Sequence, residues 1–298
     1  MKKILVLSVL AIACISCATA QKESKEPAAN VAYAAKAGDF GTFNVGNLKL
    51  TTLVDVSGVG DTSKLIGYTE EMSKKYTPDG KIGFYVNAFI VQTKDKNILV
   101  DTGFGAAANG QLIAAVANAG LTPDKIDIIV LTHMHTDHIG GLLTKDIKPA
   151  FPNATLMISK PEKDYWSGMV GMSEQVQMAK AVIRAYGAKV KTFNFGEKII
   201  PEILTMDAVG HTAGHTAYLL NNELLIWGDI VHVAEVQMAQ PGVSIAYDSD
   251  PVKAAETRIR IMNEVVKNKW SVAGMHLAFP AIGTLEKKGE GFIWVPKK

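Results

Sequence analysis

Cysteine is scarce in this chain. Its 298 residues include two, Cys14 and Cys17, both within the first twenty positions. The body of the protein therefore has no disulfide framework, and no thiolate to act as nucleophile or metal ligand. A surplus of one charge is lacking too. There are 31 basic and 29 acidic residues, and two of the basic ones, Lys2 and Lys3, lie at the extreme N-terminus. So balanced a chain lacks the footprint of a nucleic-acid binder, and no nucleic-acid partner is expected. Long apolar runs are also missing. The run from Ile4 to Ile15 is too short to cross a bilayer, so no integral membrane span is expected. With 48% hydrophobic and 20% charged residues, the composition is neither fibrous nor disordered.

The N-terminus reads as an export signal. Lys2 and Lys3 precede the apolar run, and Ala18-Thr19-Ala20 supplies small residues for cleavage. Cleavage there would release a periplasmic or extracellular protein. Ser16-Cys17 or Ala13-Cys14 can instead end a lipoprotein signal, leaving a lipid anchor on the cysteine; otherwise both cysteines are simply apolar residues of the signal. We divide the chain into a signal peptide at 1–20, a polar, Ala-rich tether at 21–40, and a single domain at 41–298.

Within that domain, strand-like runs cover Leu48 to Val56, Gly83 to Gln92 and Asn97 to Val100. Asn109 to Asn118 reads as a helix ended by Gly120. Ile126 to Leu131 is continuously apolar and predicts a strand buried on both faces. Helices open near Pro161 and Ser173, the second reaching about Tyr186. Strands follow at Lys189 to Phe193 and Ile203 to Ala208. A hairpin of Ala217 to Leu220 and Leu224 to Trp227 turns at Asn221-Asn222. A long amphipathic helix runs from Pro251 to about Lys267, with short strands at Ser271 to Met275 and Gly291 to Val295. This mixture predicts an α/β domain of two or four layers.

Histidine carries the chemical signal. His133-Met134-His135-Thr136-Asp137-His138 places three imidazoles and a carboxylate in six residues, directly after the buried strand. A solvated polar turn would not gather these groups beside an apolar strand without compensation. Imidazole and carboxylate donors suit a divalent ion such as zinc. Alternation in an extended loop aims His133 and His135 the same way, and Asp137 and His138 can then reach a second ion.

The loop resembles the His-x-His-x-Asp-His signature of the metallo-β-lactamase superfamily. Later segments follow in that family's order: Gly210-His211-Thr212-Ala213-Gly214-His215, Trp227-Gly228-Asp229 and Gly274-Met275-His276. The resemblance covers Leu48 to the C-terminus. It implies a four-layer αββα sandwich holding two divalent ions, zinc above all. One ion would be bound by His133, His135 and His211, the other by Asp137, His138 and His276, with Asp229 and a hydroxide bridging them. It also implies a small-molecule substrate and, through the N-terminal region, a homodimer. The lactonases of the family carry a substrate-contacting tyrosine three residues after the bridging aspartate, where this chain has His232. Asp137 and His232 are accordingly the expected catalytic residues.

Family comparison narrows the reaction. The dinuclear β-lactamases usually place a cysteine among the later ligands, and none is present here. That leaves the branch of glyoxalase II, the acyl-homoserine lactonases and the methyl-parathion-hydrolase-like phosphotriesterases. Val236-Gln237, Tyr247-Asp248-Ser249-Asp250, His276-Leu277-Ala278-Phe279-Pro280 and Gly289-Glu290-Gly291-Phe292 resemble the last group. The phosphotriesterases, however, line their leaving-group pocket with aromatics after the metal loop, and Ser167 to Ala185 has none. The expected activity is an exported dinuclear hydrolase that attacks an ester, lactone or phosphotriester with a metal-bridging hydroxide. Its alternatives are a mononuclear-iron oxygenase of the persulfide dioxygenase type and a metal-stabilised binding protein without catalysis.

Further residues have expected supporting or packing roles. His215 orients a neighbouring ligand or loop, and Asp101, in preference to Asp55, accepts the free N–H of a ligating histidine. Trp166 is a candidate pocket wall. Met169, Met172 and Met178 read as core or as a flexible lid.

Overall fold

Apolar side chains appear on both faces of the central strands, so each strand must be covered twice. Along Ala88-Phe89-Ile90-Val91, Phe89 and Val91 enter one core while Ala88 and Ile90 enter another. The same alternation sends Ile98 and Val100 to the first core and Leu99 to the second. The computed structural model, which describes residues 35–297, shows how that demand is met. The expected signal with Cys14 and Cys17, and the tether as far as residue 34, lie outside the described residues.

Two seven-stranded sheets face one another across the first core. The first sheet runs, edge to edge, through Phe40–Val45, Leu48–Asp61, Lys81–Gln92, Asn97–Val100, Ile128–Val130, Thr155–Ser159 and Val190–Phe193. Its last three pairings are parallel. The second runs through Gly291–Pro296, Ile282–Lys288, Ser271–Ala273, Leu224–Ile226, Thr216–Leu220, Ile203–Asp207 and Lys198–Ile200. Helices Leu112–Asn118, Lys160–Gly168 and Glu174–Tyr186 pack on the outer face of the first sheet. Helix Pro251–Asn268 lays Ile261, Met262 and Val265 on the second. These are the four layers of the expected αββα sandwich.

Several boundaries differ from the sequence reading. The helix at Glu70–Tyr76 is absent from that reading, and the one read from Asn109 begins at Leu112, because a 3-10 turn at Ala106–Ala108 and a left-handed Asn109 (φ 63°) interrupt the chain first. Only Ile128–Val130 of the apolar run pairs as a strand. The last residues assigned to the tether are tied to the sheet, since Gly38 N–H donates to the Val54 carbonyl at 2.8 Å and a strand starts at Phe40. Strand Ile282–Lys288 is not evident in the sequence pattern. Its outward residues Thr284, Glu286 and Lys288 face solvent, which hides its apolar half. The hairpin turns as expected at Asn221 and Asn222, both left-handed (φ 50° and 57°).

The sheets are stitched together next to the histidine loop. Thr216 N–H donates to the Thr132 carbonyl at 2.9 Å, and the Tyr218 hydroxyl donates to the Leu131 carbonyl at 2.5 Å. Tyr218 is fully buried. Tyr218→Phe is expected to leave that carbonyl unpaired in a dry interior and to cost about 1–3 kcal/mol of stability. The readout is a lower urea midpoint at unchanged slope; an unchanged midpoint would show that the bond does not hold the sheets.

Candidate metal centre

Four chain segments meet beyond the strand ends. The first follows strand Ile128–Val130 and carries His133, His135, Asp137 and His138. The second joins Ile203–Asp207 to Thr216–Leu220 and carries His211 and His215. Asp229 follows Leu224–Ile226, and His276 follows Ser271–Ala273. Those last two strands pair in parallel, so their exits share one end of the sheet.

The histidines form one tight group. His133 Nε2 lies 3.0 Å from His135 Nδ1 and 3.2 Å from His211 Nε2, and the latter two atoms are 2.9 Å apart. Beside this trio, His138 Nε2 lies 3.4 Å from Asp137 Oδ2 and 3.2 Å from Asp229 Oδ1. His276 Nε2 is 3.0 Å from Asp229 Oδ2 and 3.7 Å from Asp137 Oδ2. Asp229 stands between the groups, its Oδ2 being also 3.2 Å from His211 Nε2. The structure thus brings together all seven expected ligand residues, in one set of three and one of four.

Four of the rings are aimed by a neighbour. Asp101, fully buried and left-handed (φ 60°), accepts His138 Nδ1–H at 2.8 Å and also takes both the N–H and the hydroxyl of Thr132. Asp248 accepts His211 Nδ1–H at 2.8 Å, and the carbonyl of Tyr85 accepts His276 Nδ1–H at 2.7 Å. His215 donates from Nδ1 to the Ala208 carbonyl and receives the Asp229 N–H on Nε2 at 2.9 Å. Gly228 makes that approach possible, because a Cβ there would collide with His215 Nε2. Asp55 lies elsewhere, accepting the N–H groups of Phe104 and Leu112 at 2.7 Å each.

The electrostatics suit divalent ions. His138 Nε2 and Asp229 Oδ1, 3.2 Å apart, are buried and neither makes a hydrogen bond among the described residues, so each keeps a lone pair or proton that an ion could engage. Burial pushes His135 and His215 down to about 3, so both are neutral imidazoles at physiological pH. His211 moves the other way, to about 9: burial opposes its charge, but hydrogen bonds to Asp229 and Asp248 outweigh burial. Burial also opposes the Asp229 charge, yet His138 and His276 hold this carboxyl well below the usual range. A cation is therefore favoured at the centre, and a metal ion can replace the proton there.

His232 belongs to the same cluster. Its Nε2 lies 3.0 Å from Asp229 Oδ2, and its ring stacks on His276 with centroids 5.0 Å apart. Burial lowers it to about 4 despite the pull of Asp229, so it is neutral, with Nε2–H donated to the carboxylate and Nδ1 unpartnered. It lines a cavity of about 620 Å³ that opens onto His135, His211, Asp229 and His276. The far wall is apolar, with Leu65, Ile82, Phe84, Phe104 and Ile245. Aromatic lining thus comes from Phe84, Tyr85, Phe104 and Tyr247, although Ser167 to Ala185 supplies none. Trp166 is not among the lining residues; it packs nearly at right angles to the His135 ring from a buried position. Met169 and Met178 pack on the outer core, while Met172 is exposed beside a separate groove.

Sequence reasoning passes over Glu162. Ser159 and Glu162 read as a capping box, and Ser159 Oγ does accept the Glu162 N–H at 3.3 Å. The carboxylate, however, turns away from that cap into the two histidine-bearing loops. Asp248 stands out in the sequence only within a resembling segment, without a role.

The metallo-beta-lactamase superfamily model matches residues 82–264. Among solved structures, AidC, a dizinc quorum-quenching lactonase in complex with a product, is 27% identical with a TM-score of 0.80, covering 87% of this chain and 97% of that one. The hydrolase AbOPH is 30% identical with a TM-score of 0.78 over the same shares. YobT of Bacillus subtilis is 29% identical over 49% of this chain, and an N-acyl homoserine lactonase of Bacillus cereus 21% over the same share; in each case the chain spans 62% of the relative's length. With its histidine loop at the end of a buried strand, its later histidines and aspartate gathered around it, and a family match over more than half its length, the chain belongs to the metallo-beta-lactamase superfamily.

Proposed function

We propose that the protein is an exported hydrolase of lactones or related small esters, working with two divalent ions, zinc in the first instance. The carrying observation is Asp229, which lies within 3.2 Å of nitrogens from both donor sets. His133, His135 and His211 would hold one ion, and Asp137, His138 and His276 the other, with Asp229 common to both. Bound there, the ions would supply a hydroxide nucleophile near neutral pH and an electrophilic face for the oxyanion. The protein's own contribution is binding and hydrogen bonding. Leu65, Ile82, Phe84 and Phe104 offer an apolar wall for the acyl or hydrocarbon arm and keep water from it. His232 stays neutral with its proton on Nε2 against Asp229, and would offer that N–H as a hydrogen bond to the oxygen on which charge develops; the alkoxide released by ester cleavage would take its proton from the carboxylic acid formed in the same step. Likeness to AidC supports a lactone over a phosphotriester.

Metal analysis of the purified protein is expected to give about two ions per chain, the number required by a shared-carboxylate site. Stripping them with chelator should abolish ester and lactone hydrolysis, and zinc should restore it. One tightly held iron with oxygen uptake would instead establish the oxygenase, and two ions with no turnover on any ester or lactone would establish a binding protein.

His232→Ala is expected to keep both ions and lower kcat/KM by about 10²-fold, the scale of a lost hydrogen-bond donor to the developing oxyanion. Loss of an ion would make His232 a ligand, and unchanged kinetics would reduce it to packing. For export, N-terminal mass analysis should find a mature chain starting at Gln21; a diacyl or triacyl group on Cys14 or Cys17 would replace this with a lipid-anchored form.

A further inference from the structure

Glu162 is 1% exposed, has no counter-ion among the described residues and is used by none of the steps above. Its two oxygens receive four donors. Oε1 accepts the Met134 N–H at 2.9 Å and the Trp166 Nε1–H at 2.6 Å. Oε2 accepts the Thr212 hydroxyl at 2.6 Å and the Gly214 N–H at 2.9 Å. Met134 lies between His133 and His135, whereas Thr212 and Gly214 lie between His211 and His215. One carboxylate therefore clasps the two loops that carry the histidine trio. Fit is close on the second loop, where a Cβ at Gly214 would fall on the Glu162 backbone. Trp166, held by the same carboxylate, meets the His135 ring nearly at right angles, 5.8 Å between centroids.

The other donor set is aimed by different groups. Asp101 holds His138, the Tyr85 carbonyl holds His276 and His215 holds the Asp229 N–H. None of these three bonds involves Glu162. We propose that Glu162 is a positioning residue that sets the spacing of His133 and His135 against His211, and so controls the affinity of one metal ion out of two. This rests on the two-ion reading above.

An amide at this position cannot substitute. Whichever oxygen becomes NH₂, it faces an obligate backbone donor, Met134 N–H on one side or Gly214 N–H on the other. Glu162→Gln is expected to weaken one ion by about 10- to 100-fold, the usual scale for losing an orienting partner. The measurement is metal content after dialysis against graded chelator: two ions should remain on the wild type where one remains on the variant. Anomalous scattering should then place the remaining ion beside Asp137, His138 and His276. Thr212→Val, which removes one donor and keeps the carboxylate, should shift the same ion in the same direction, and Thr212→Ser should restore it. Parallel loss of both ions from folded Thr212→Val, or wild-type retention of both in Glu162→Gln, would overturn the proposal. A wild type that itself holds fewer than two ions would instead defeat the two-ion reading.

Discussion

The Asp229 carboxylate is the group the rest of the site is arranged around. It is 3% exposed, and three imidazole nitrogens, those of His211, His232 and His276, lie within 3.2 Å of its Oδ2. A carboxylate in so dry a place is tolerated only beside compensating positive charge. In the protein alone, protons on neighbouring imidazoles supply that charge, so His211 is raised, while burial keeps His135 and His232 neutral against the pull of Asp229. Divalent ions meet the same demand with more charge and fixed direction. The burial that makes this arrangement costly as a bare protein is what makes it selective for cations.

The sandwich exists to keep such a cluster rigid. Buried strands with apolar residues on both faces require a sheet on one side and helices on the other, and the segments that leave their ends are then anchored at both ends. Thr216 N–H to the Thr132 carbonyl ties the two sheets at the point where the histidine loop departs. Asp101 reinforces this point, collecting His138 and Thr132 on a backbone held left-handed. That conformation is unfavourable for a residue with a side chain, and it persists because three hydrogen bonds overdetermine it.

Much of this is legible in the sequence, for identifiable reasons. Asn97–Val100, the Asn221-Asn222 hairpin and the helix from Pro251 can be read because periodicity, turn residues and a capping Asp250 all agree locally. The ligand residues are legible because imidazoles clustered beside an apolar strand are costly to bury unless a metal ion binds them. What cannot be read are interactions decided only by the folded arrangement. Ile282–Lys288 has half its residues in solvent, so its pattern imitates a loop. An aromatic cavity wall is absent from Ser167 to Ala185, after the metal loop, because Phe84 and Phe104 arrive instead from an earlier strand and loop. Glu162 is hidden most completely, since Ser159 three residues before it accounts locally, and correctly, for the backbone N–H.

Glu162 and Asp229 together show how two buried carboxylates with similar exposure come to different work. Glu162 is surrounded by three N–H donors and a hydroxyl, all neutral, and every lone-pair direction it needs is filled. Such a carboxylate has no free coordination left, so it can act on the site only through the loops it holds. Asp229 is surrounded by ring nitrogens that can each exist with or without a proton, and its Oδ1 faces His138 Nε2 at 3.2 Å without a hydrogen bond. Saturation by neutral donors makes one carboxylate structural; incomplete saturation by exchangeable ones makes the other available to a metal ion. Burial alone would not separate them, and neither would charge. The difference lies in the protonation chemistry of the immediate neighbours, which the fold supplies from backbone N–H groups in one case and from four separate histidine-bearing segments in the other.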